Sequence, residues 1–152
     1  MKVLEFLDRS AICLDIKSSS KKEAIAELCQ VLHDNGKIKD QETVMVALME
    51  REKLGSTGIG QGVAIPHGKS DSTPTLVGAL GISRKGVQFE SLDGEPVHVI
   101  FMLVAPNDSS GTHLKALARV SRLLKDKFFR QAIKEAKQSE DIERIIREED
   151  EY

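Results

Sequence analysis

Apolar residues recur at helical spacing in two segments near the start of the chain, and they predict two amphipathic helices. In the first, the inward positions are Ile25, Leu28, Cys29 and Leu32. Residues 20–23, Ser-Lys-Lys-Glu, have capping-box spacing before this stripe, and Gly36 is placed to end the helix. The second helix takes Asp40 as its N-cap and runs to about Lys53. Its inward positions are Val44, Ala47 and Leu48.

Short apolar runs predict the strands. We expect them at residues 13–16, 63–65, 75–83, 87–89 and 97–104. Residues 92–96 contain the sequence Asp-Gly followed closely by proline, which is typical of a turn. From Val99 onward the last run is almost unbroken, and this pattern indicates a central strand that is covered on both faces.

The last third of the chain has mainly helical patterns. After a loop at residues 105–111, Thr112 or a neighbour is placed to cap a helix that reaches Leu124. Its inner stripe is His113, Ala116, Leu117, Val120 and Leu124. Two further helices are expected, at residues 128–136 and 141–148. Ser139 is a candidate cap for the second, and the final Glu-Glu-Asp-Glu run is expected to be solvated.

Strands that alternate with helices indicate a single α/β domain. A chain of 152 residues is long enough to bury roughly two-thirds of its unfolded surface. The 22 basic and 24 acidic residues give a formal charge of -2, so no sustained field favours nucleic acid or membrane lipid. The longest apolar run, residues 99–105, is far below the roughly 20 residues that span a bilayer. We therefore expect no nucleic-acid partner and no insertion into a membrane.

The cysteines and the N-terminus fit a cytoplasmic protein. Cys13 and Cys29 stand among apolar neighbours, so we expect them to be buried and not joined in a disulfide. Near the N-terminus, Glu5, Asp8 and Arg9 interrupt the apolar core that an export signal needs.

Glycines are concentrated in residues 55–69. This stretch ends with the sequence His67-Gly68-Lys69. Five of the chain's 11 glycines fall here: Gly55, Gly58, Gly60, Gly62 and Gly68. Glycine allows positive φ and close approach of the backbone to a ligand or partner. Pro66 fixes φ immediately before His67 and stiffens the backbone there. The stretch therefore predicts a held histidine beside a glycine-rich loop.

Two nucleotide-binding motifs nearly match this stretch, and both fail on spacing. A G-x-G-x-x-G fingerprint that starts at Gly58 requires glycine at the position of Val63. A P-loop requires four residues between its glycines, whereas five separate Gly62 from Gly68. Nucleotide binding is therefore a poor explanation of the glycines.

Imidazole chemistry explains the stretch better. An ordinary pKa of about 6.5 leaves histidine a neutral nitrogen nucleophile at cellular pH, and a phosphoryl group is a natural electrophile for it. The oxygens of the resulting phosphohistidine need donors, which glycine-rich backbone N–H groups supply. The residues expected to cradle the phosphoryl group are Ser56, Thr57, Gly58, Gly60, Gly62 and Gly68.

Residues 56–60 and 64–69 resemble the phosphorylation-site motif of the type-2 enzyme IIA domain of the phosphotransferase system (PTS). This fructose/mannitol family includes the nitrogen-regulatory IIA proteins. The resemblance extends upstream to Arg51, and residues 112–119 are similar to the family's second-histidine helix. It covers most of the chain.

The resemblance implies roles for three residues. His67 matches the phosphorylated histidine, His113 the second active-site histidine and Arg51 the active-site arginine. Position alone also allows Arg51 to join surface ion pairs and His113 to lie at the rim of a packed helix face. The N-terminus of that helix is nevertheless a place where phosphate is favoured. His33 and His98 are expected to be structural or solvated.

The resemblance further implies a single domain over residues 1–152, with a small mixed sheet flanked by helices on both faces. The main functional hypothesis is a phosphocarrier that needs neither metal nor other cofactor. It would accept a phosphoryl group on His67 from phosphorylated HPr or a paralogue and pass it to a separate IIB acceptor in sugar phosphotransfer. The alternative is a nitrogen-regulatory IIA-like protein in which the phosphorylation of His67 controls binding to a regulatory target.

Overall fold

One mixed sheet of six strands is built around a buried central strand. The computed structural model describes residues 1–151, and its strands are β1 (Ile12–Cys13), β2 (Gly58–Gly60), β3 (Val63–Ala64), β4 (His67–Lys69), β5 (Val77–Val87) and β6 (Val97–Ala105). On one side of β6 lies antiparallel β5, and on the other side lie β3 and β4, both parallel to it. The sheet continues through β5 to parallel β1 and through β3 to antiparallel β2. The predicted central position of β6 is confirmed.

Five α-helices within the described residues cover both faces of this sheet. They are α1 (Lys21–Asp34), α2 (Gln41–Lys53), α3 (Ser110–Lys125), α4 (Lys127–Glu135) and α5 (Ser139–Glu149). On one face of β5, a Cβ on Gly81 would lie only 3.2 Å from Leu28 of α1. On the other face, Leu80 lines a small apolar cavity together with side chains of α3, α4 and α5. The expected α/β fold, a mixed sheet with helices on both faces, is confirmed.

The strand boundaries correct two expectations. Residues 75–83 and 87–89 were expected to form separate strands, but β5 runs continuously to Val87 with a register shift between Ile82 and Val87. The glycine-rich stretch was expected to be a loop around one short strand at residues 63–65. It also contains β2 and β4, because each finds a neighbour in the sheet.

Helix ends follow local sequence closely, with small differences. Asp40 caps α2 as expected, since its carboxylate accepts a hydrogen bond from the backbone of Thr43 at 3.2 Å. The capping box expected for α1 does not form, because the Ser20 hydroxyl donates to the Glu23 side chain instead. Helix α3 begins at Ser110, before the expected cap. Within residues 1–151, no helix combines the length and apolar character needed to cross a membrane.

Asp150 is the exception to the expected solvated acidic tail, since Glu148, Glu149 and Glu151 are exposed but Asp150 is buried. Its side chain is only 2% exposed, and it accepts hydrogen bonds from the backbone N–H of Val3 and from Nε of Arg119, each at 2.6 Å. The carboxylate thus joins the end of α5 to the N-terminal segment and to α3. Charge-assisted hydrogen bonds of this kind offset the cost of burying a carboxylate.

Replacing Asp150 with alanine should lower the free energy of unfolding by about 3 kcal/mol, since it removes a buried acceptor and its charge. Urea denaturation measures the change. Glu148→Ala is the matched control, because Glu148 is exposed and lies 3.8 Å from Arg144; it should cost less than about 0.5 kcal/mol. Equal losses from the two substitutions would contradict the structural role of Asp150.

Candidate functional site

The sheet brings His67 and His113 together at one end of the central strand. His67 begins β4 and pairs with Leu103, near the C-terminal end of β6. His113 lies in the first turn of α3, the helix that follows β6. The centroids of the two imidazole rings are 5.5 Å apart, and the ring planes are inclined by 50°.

The ring of His67 is held in one orientation by a backbone hydrogen bond. Its Nδ1 lies 2.8 Å from the carbonyl oxygen of Ile65. A carbonyl oxygen can only accept, so in the neutral ring the proton is on Nδ1 and the lone pair is on Nε2. Burial lowers the pKa of His67 below 6.5, and the nearby charge of Arg51 lowers it further. The geometry therefore presents a neutral nitrogen nucleophile at cellular pH.

His113 is an almost completely buried histidine with an unsatisfied nitrogen. The residue is 5% exposed, and within residues 1–151 its Nδ1 has no hydrogen-bond partner. Burial lowers its pKa to about 4, with smaller contributions from the charges of His67 and Lys69. A buried polar atom without a partner is costly in a folded protein. A group bound next to His67 would supply the hydrogen-bond partner that Nδ1 of His113 lacks.

Arg51 reaches the site from the last turn of α2 and keeps most of its donors available. One guanidinium nitrogen, Nη1, donates to the carbonyl oxygen of Gly55 at 2.9 Å. Across the described part of the chain, no carboxylate forms an ion pair with Arg51; Glu50 pairs with Lys53 instead. The alternative interpretation of Arg51 as a surface ion-pair residue is therefore not what the structure shows.

Gly68 lets α2 approach the strand that carries His67. A Cβ at this position would lie 3.4 Å from the backbone carbonyl of Ala47, a contact that leaves little room. Ala47 and Arg51 lie one helical turn apart on the same side of α2. The close approach at Gly68 thus places the arginine near His67, and the glycine serves helix packing.

The donors at the start of the glycine-rich stretch are engaged within the protein. The Ser56 hydroxyl donates to the carbonyl oxygen of Phe89 and accepts from the N–H of Gly58. The N–H and hydroxyl of Thr57 both donate to the carboxylate of Glu52. In this structure Ser56, Thr57 and Gly58 therefore build the loop and do not offer these donors to a phosphoryl group.

Gly60 and Gly62 lie away from the two histidines. They flank the turn between β2 and β3, with φ of 98° and 77° respectively. Val63, next to Gly62, pairs with Val99, whereas His67 pairs with Leu103 farther along β6. These glycines supply the positive φ that the turn requires. The expectation that they cradle a group on His67 does not match their position.

The first turn of α3 offers a different set of donors beside the histidines. Helix N-termini carry N–H groups without intrahelical partners, and the helix dipole favours an anion there. Lys69, two residues after His67 on β4, donates from its ammonium group to the hydroxyl of Ser110 at the start of α3. The site therefore combines Lys69, Arg51 and a helix N-terminus around His67 and His113. Within residues 1–151, no group of three or more His, Cys, Asp or Glu side chains is arranged to hold a metal ion.

Sequence reasoning missed Glu52, although a signal was present. Val44, Leu48 and Glu52 recur at four-residue intervals, so the glutamate continues the buried stripe of α2. The carboxylate is buried and pairs with Lys21 of α1 at 3.1 Å. The remaining histidines fit their expected roles: His33 is exposed, and Nδ1 of His98 lies 2.8 Å from the carbonyl oxygen of Ser83. Both cysteines are free.

The fold and the site define a small α/β protein with two neighbouring histidines, one of them almost completely buried, and an arginine at one end of its central strand. Residues 5–149 match the family "Phosphoenolpyruvate-dependent sugar phosphotransferase system, EIIA 2". The chain therefore belongs to the type-2 EIIA family of the PTS.

Its relatives include both sugar-specific and nitrogen-regulatory proteins. It is 41% identical over 150 residues to the fructose-specific EIIABC component of Bacillus subtilis, matching 99% of this chain but only 24% of that protein. It is 35% identical over 147 residues to the nitrogen regulatory protein of Bradyrhizobium diazoefficiens, covering 96% and 95% of the two chains. The crystal structure of IIA-Ntr from Neisseria meningitidis is similar, with 36% identity, 93% and 97% coverage and a TM-score of 0.86.

The buried His113 should make the protein less stable in mild acid. Its folded pKa of about 4 lies below the ordinary 6.5, so only the unfolded state takes up the proton between these values. Stability is therefore present above pH 6.5 and is lost as the pH falls towards 4. In urea titrations, His113→Gln should flatten this decline, whereas His33→Gln, at an exposed position, should not. An unchanged slope in His113→Gln would contradict the lowered pKa.

Proposed function

We propose that the protein is a phosphohistidine carrier in which Nε2 of His67 accepts a phosphoryl group and later gives it up. The observation that carries the proposal is the hydrogen bond from Nδ1 of His67 to the carbonyl oxygen of Ile65. It holds the ring in the tautomer whose Nε2 lone pair is free. Family membership over residues 5–149 supports the same role and supports residues 1–152 as one EIIA domain.

The transfer step needs no change in the protonation of His67. The Nε2 lone pair forms the new N–P bond as the N–P bond of the donor phosphohistidine breaks, and the bonding electrons return to the donor imidazole. Nδ1 keeps its proton and its bond to Ile65 throughout. Because this nitrogen is tied to the backbone, the imidazole is already oriented for in-line attack.

Four groups stabilise the phosphoryl oxygens during transfer. Arg51 supplies guanidinium donors in a planar fork that suits phosphate. His113 supplies a ring N–H, and the dianion on His67 raises its pKa, which favours the charged, donating form. Lys69 and the first turn of α3 add positive potential at the same end of the sheet. Catalysis then consists mostly of positioning and electrostatic stabilisation.

The donor in this proposal is phosphorylated HPr or a paralogue, and the acceptor is a separate IIB protein. A mannitol IIA of Escherichia coli, solved in complex with phosphorylated IIB, has the same fold with a TM-score of 0.80 at 20% identity. Cytoplasmic localisation belongs to the same proposal, and the two free cysteines suit a reducing compartment.

The second candidate function is regulation by the phosphorylation state of His67. The similarity to nitrogen-regulatory proteins favours it, since the match to the Bradyrhizobium relative covers nearly all of both chains. Phosphorylation adds about two negative charges. A regulatory target would read this change at the basic site formed by Arg51 and Lys69. A IIB or IIC gene beside this one would favour transport, whereas an operon for the nitrogen sigma factor would favour regulation.

Incubation with phosphorylated HPr should add one acid-labile, alkali-stable phosphoryl group at His67. Peptide mapping by mass spectrometry locates the group. His67→Ala should abolish labelling, while His33→Ala, at an exposed position far from the site in sequence, should retain it. Stoichiometric labelling of His67→Ala, or a label mapped to His33 or His98, would overturn the assignment.

His113→Ala should leave His67 able to accept the phosphoryl group, but more slowly. Loss of a positioned transition-state donor costs on the order of a hundredfold or more in rate, about 2.7 kcal/mol upward. Rapid-quench kinetics on His67→Ala, His113→Ala and the double variant measure the division of roles. A fully inactive His113→Ala combined with a phosphorylated His67→Ala would identify His113 as the nucleophile instead.

A further inference from the structure

The mechanism above uses His67, Arg51 and His113, but it gives no part to the buried carboxylate beside them. The side chain of Glu52 is 3% exposed. A buried carboxylate is costly unless it is paired and hydrogen-bonded. Its charge is also close enough to affect the pKa of His67, which it raises. A negative charge near a phosphorylation site requires an explanation.

Glu52 is anchored on two sides. Its Oε1 lies 3.1 Å from the ammonium nitrogen of Lys21, on α1, and also accepts from the N–H of Thr57 at 3.1 Å. The Thr57 hydroxyl donates to the second carboxylate oxygen. Lys21 is itself fixed, since its backbone N–H donates to Gln88 and its ammonium lies 5.3 Å from the Phe89 ring centroid. The carboxylate thus ties α1 and α2 to the glycine-rich stretch, and the lysine offsets its charge.

From Thr57 the hydrogen bonds continue to the nucleophile. The carbonyl oxygen of Thr57 accepts from the N–H of Ile65 at 3.0 Å. The carbonyl oxygen of Ile65 in turn accepts from Nδ1 of His67 at 2.8 Å. Glu52, Thr57, Ile65 and His67 are therefore connected by consecutive hydrogen bonds, and the last of these selects the tautomer of the nucleophile.

Glu52 also fixes the turn that Arg51 contacts. The N–H of Gly55 donates to the backbone carbonyl of Glu52 at 3.1 Å. Arg51 donates from Nη1 to the carbonyl oxygen of Gly55 at 2.9 Å. Because Thr57 also binds the Glu52 side chain, the turn at residues 52–57 is held at both ends. The carbonyl oxygen of Gly55, which accepts from the Arg51 guanidinium, is thereby fixed in position.

We propose that Glu52 is a positioning residue for phosphoryl transfer, acting through Thr57 on both His67 and Arg51. Lys21 belongs to the same unit because it neutralises the carboxylate that holds the loop. The proposal rests on the function proposed above for His67. It explains why the N–H and hydroxyl of Thr57 donate to Glu52 and not to a phosphoryl group. The buried cluster sets the geometry of the site without touching the reacting atoms.

Two substitutions at Thr57 form a matched test. Thr57→Val keeps the shape of the side chain but removes the hydroxyl donor to Glu52, whereas Thr57→Ser keeps that donor. Glu52→Gln removes the charge at the centre of the cluster, and Glu50→Gln is the control at an exposed position paired with Lys53. Each purified variant is characterised by urea denaturation, by rapid-quench phosphorylation from phosphorylated HPr, and by ¹⁵N NMR of the His67 ring.

Thr57→Val and Glu52→Gln should accept the phosphoryl group about tenfold to a hundredfold more slowly, as expected when reacting groups are misplaced. In the NMR spectra, the single Nδ1–H tautomer of His67 should give way to a mixture of both tautomers. The rate of phosphoryl acceptance should fall much less in Thr57→Ser. Glu50→Gln should match the parent protein in both rate and tautomer. A purely structural role would lower the free energy of unfolding and leave the tautomer of the folded fraction unchanged.

Parent-like rates and an unchanged tautomer in both Thr57→Val and Glu52→Gln would overturn the proposal. Slower transfer with an unchanged tautomer would overturn the link to His67 and would leave the turn that Arg51 contacts as the only route for the effect. The NMR measurement uses unphosphorylated protein, so it tests the cluster even if the parent protein accepts no phosphoryl group. In that case the proposed function would fail, and the tautomer result would still decide the role of Glu52 in orienting His67.

Discussion

The pairing of β4 with the end of β6 is the constraint on which the site depends. β6 is fixed by burial, since every residue from Val99 to Ala105 is covered. The three residues of β4 are parallel to its last three, with His67 opposite Leu103 and Lys69 opposite Ala105. Because α3 starts shortly after β6, this register alone brings two histidines from distant parts of the sequence to within 5.5 Å between ring centroids.

Local patterns were sufficient to predict most of the framework. The stripes of α1 and α2, the Asp40 cap and the buried run of β6 depend on neighbours within a few residues. The prediction of two separate strands in place of β5 was wrong because Arg84 and Lys85 interrupt the apolar pattern with two adjacent charges. In the structure they are exposed within a strand whose register shifts between Ile82 and Val87. Asp150 was assigned to solvent because its partners, Val3 and Arg119, are distant in sequence.

The candidate site could be predicted only in part from the sequence positions of its residues. Position alone left Arg51 in surface ion pairs and His113 at the rim of a helix, and the family resemblance was needed to place them beside His67. The roles of the loop residues could not be predicted because they depend on where each donor points. Thr57 turns both of its donors to Glu52, and Gly60 and Gly62 shape a turn near the other end of β6. Glycine density predicted donors for a phosphoryl group, whereas in the structure Ser56, Thr57, Gly60 and Gly62 serve the loop and the turn.

The outer strands of the sheet, β1, β2 and β4, are very short, and this limits how other proteins can bind. β1, β2 and β4 have two, three and three residues. Beyond β1, the longer strand β5 forms backbone hydrogen bonds with Phe6 and Ile16, so no outer strand presents a long row of unpaired backbone groups. Short edges protect against strand addition and the aggregation that follows from it. In the proposed function the protein meets a donor and an acceptor in succession and must also release each of them. Recognition through side chains around the His67 end of the sheet, without shared backbone ladders, suits encounters that are brief and reversible.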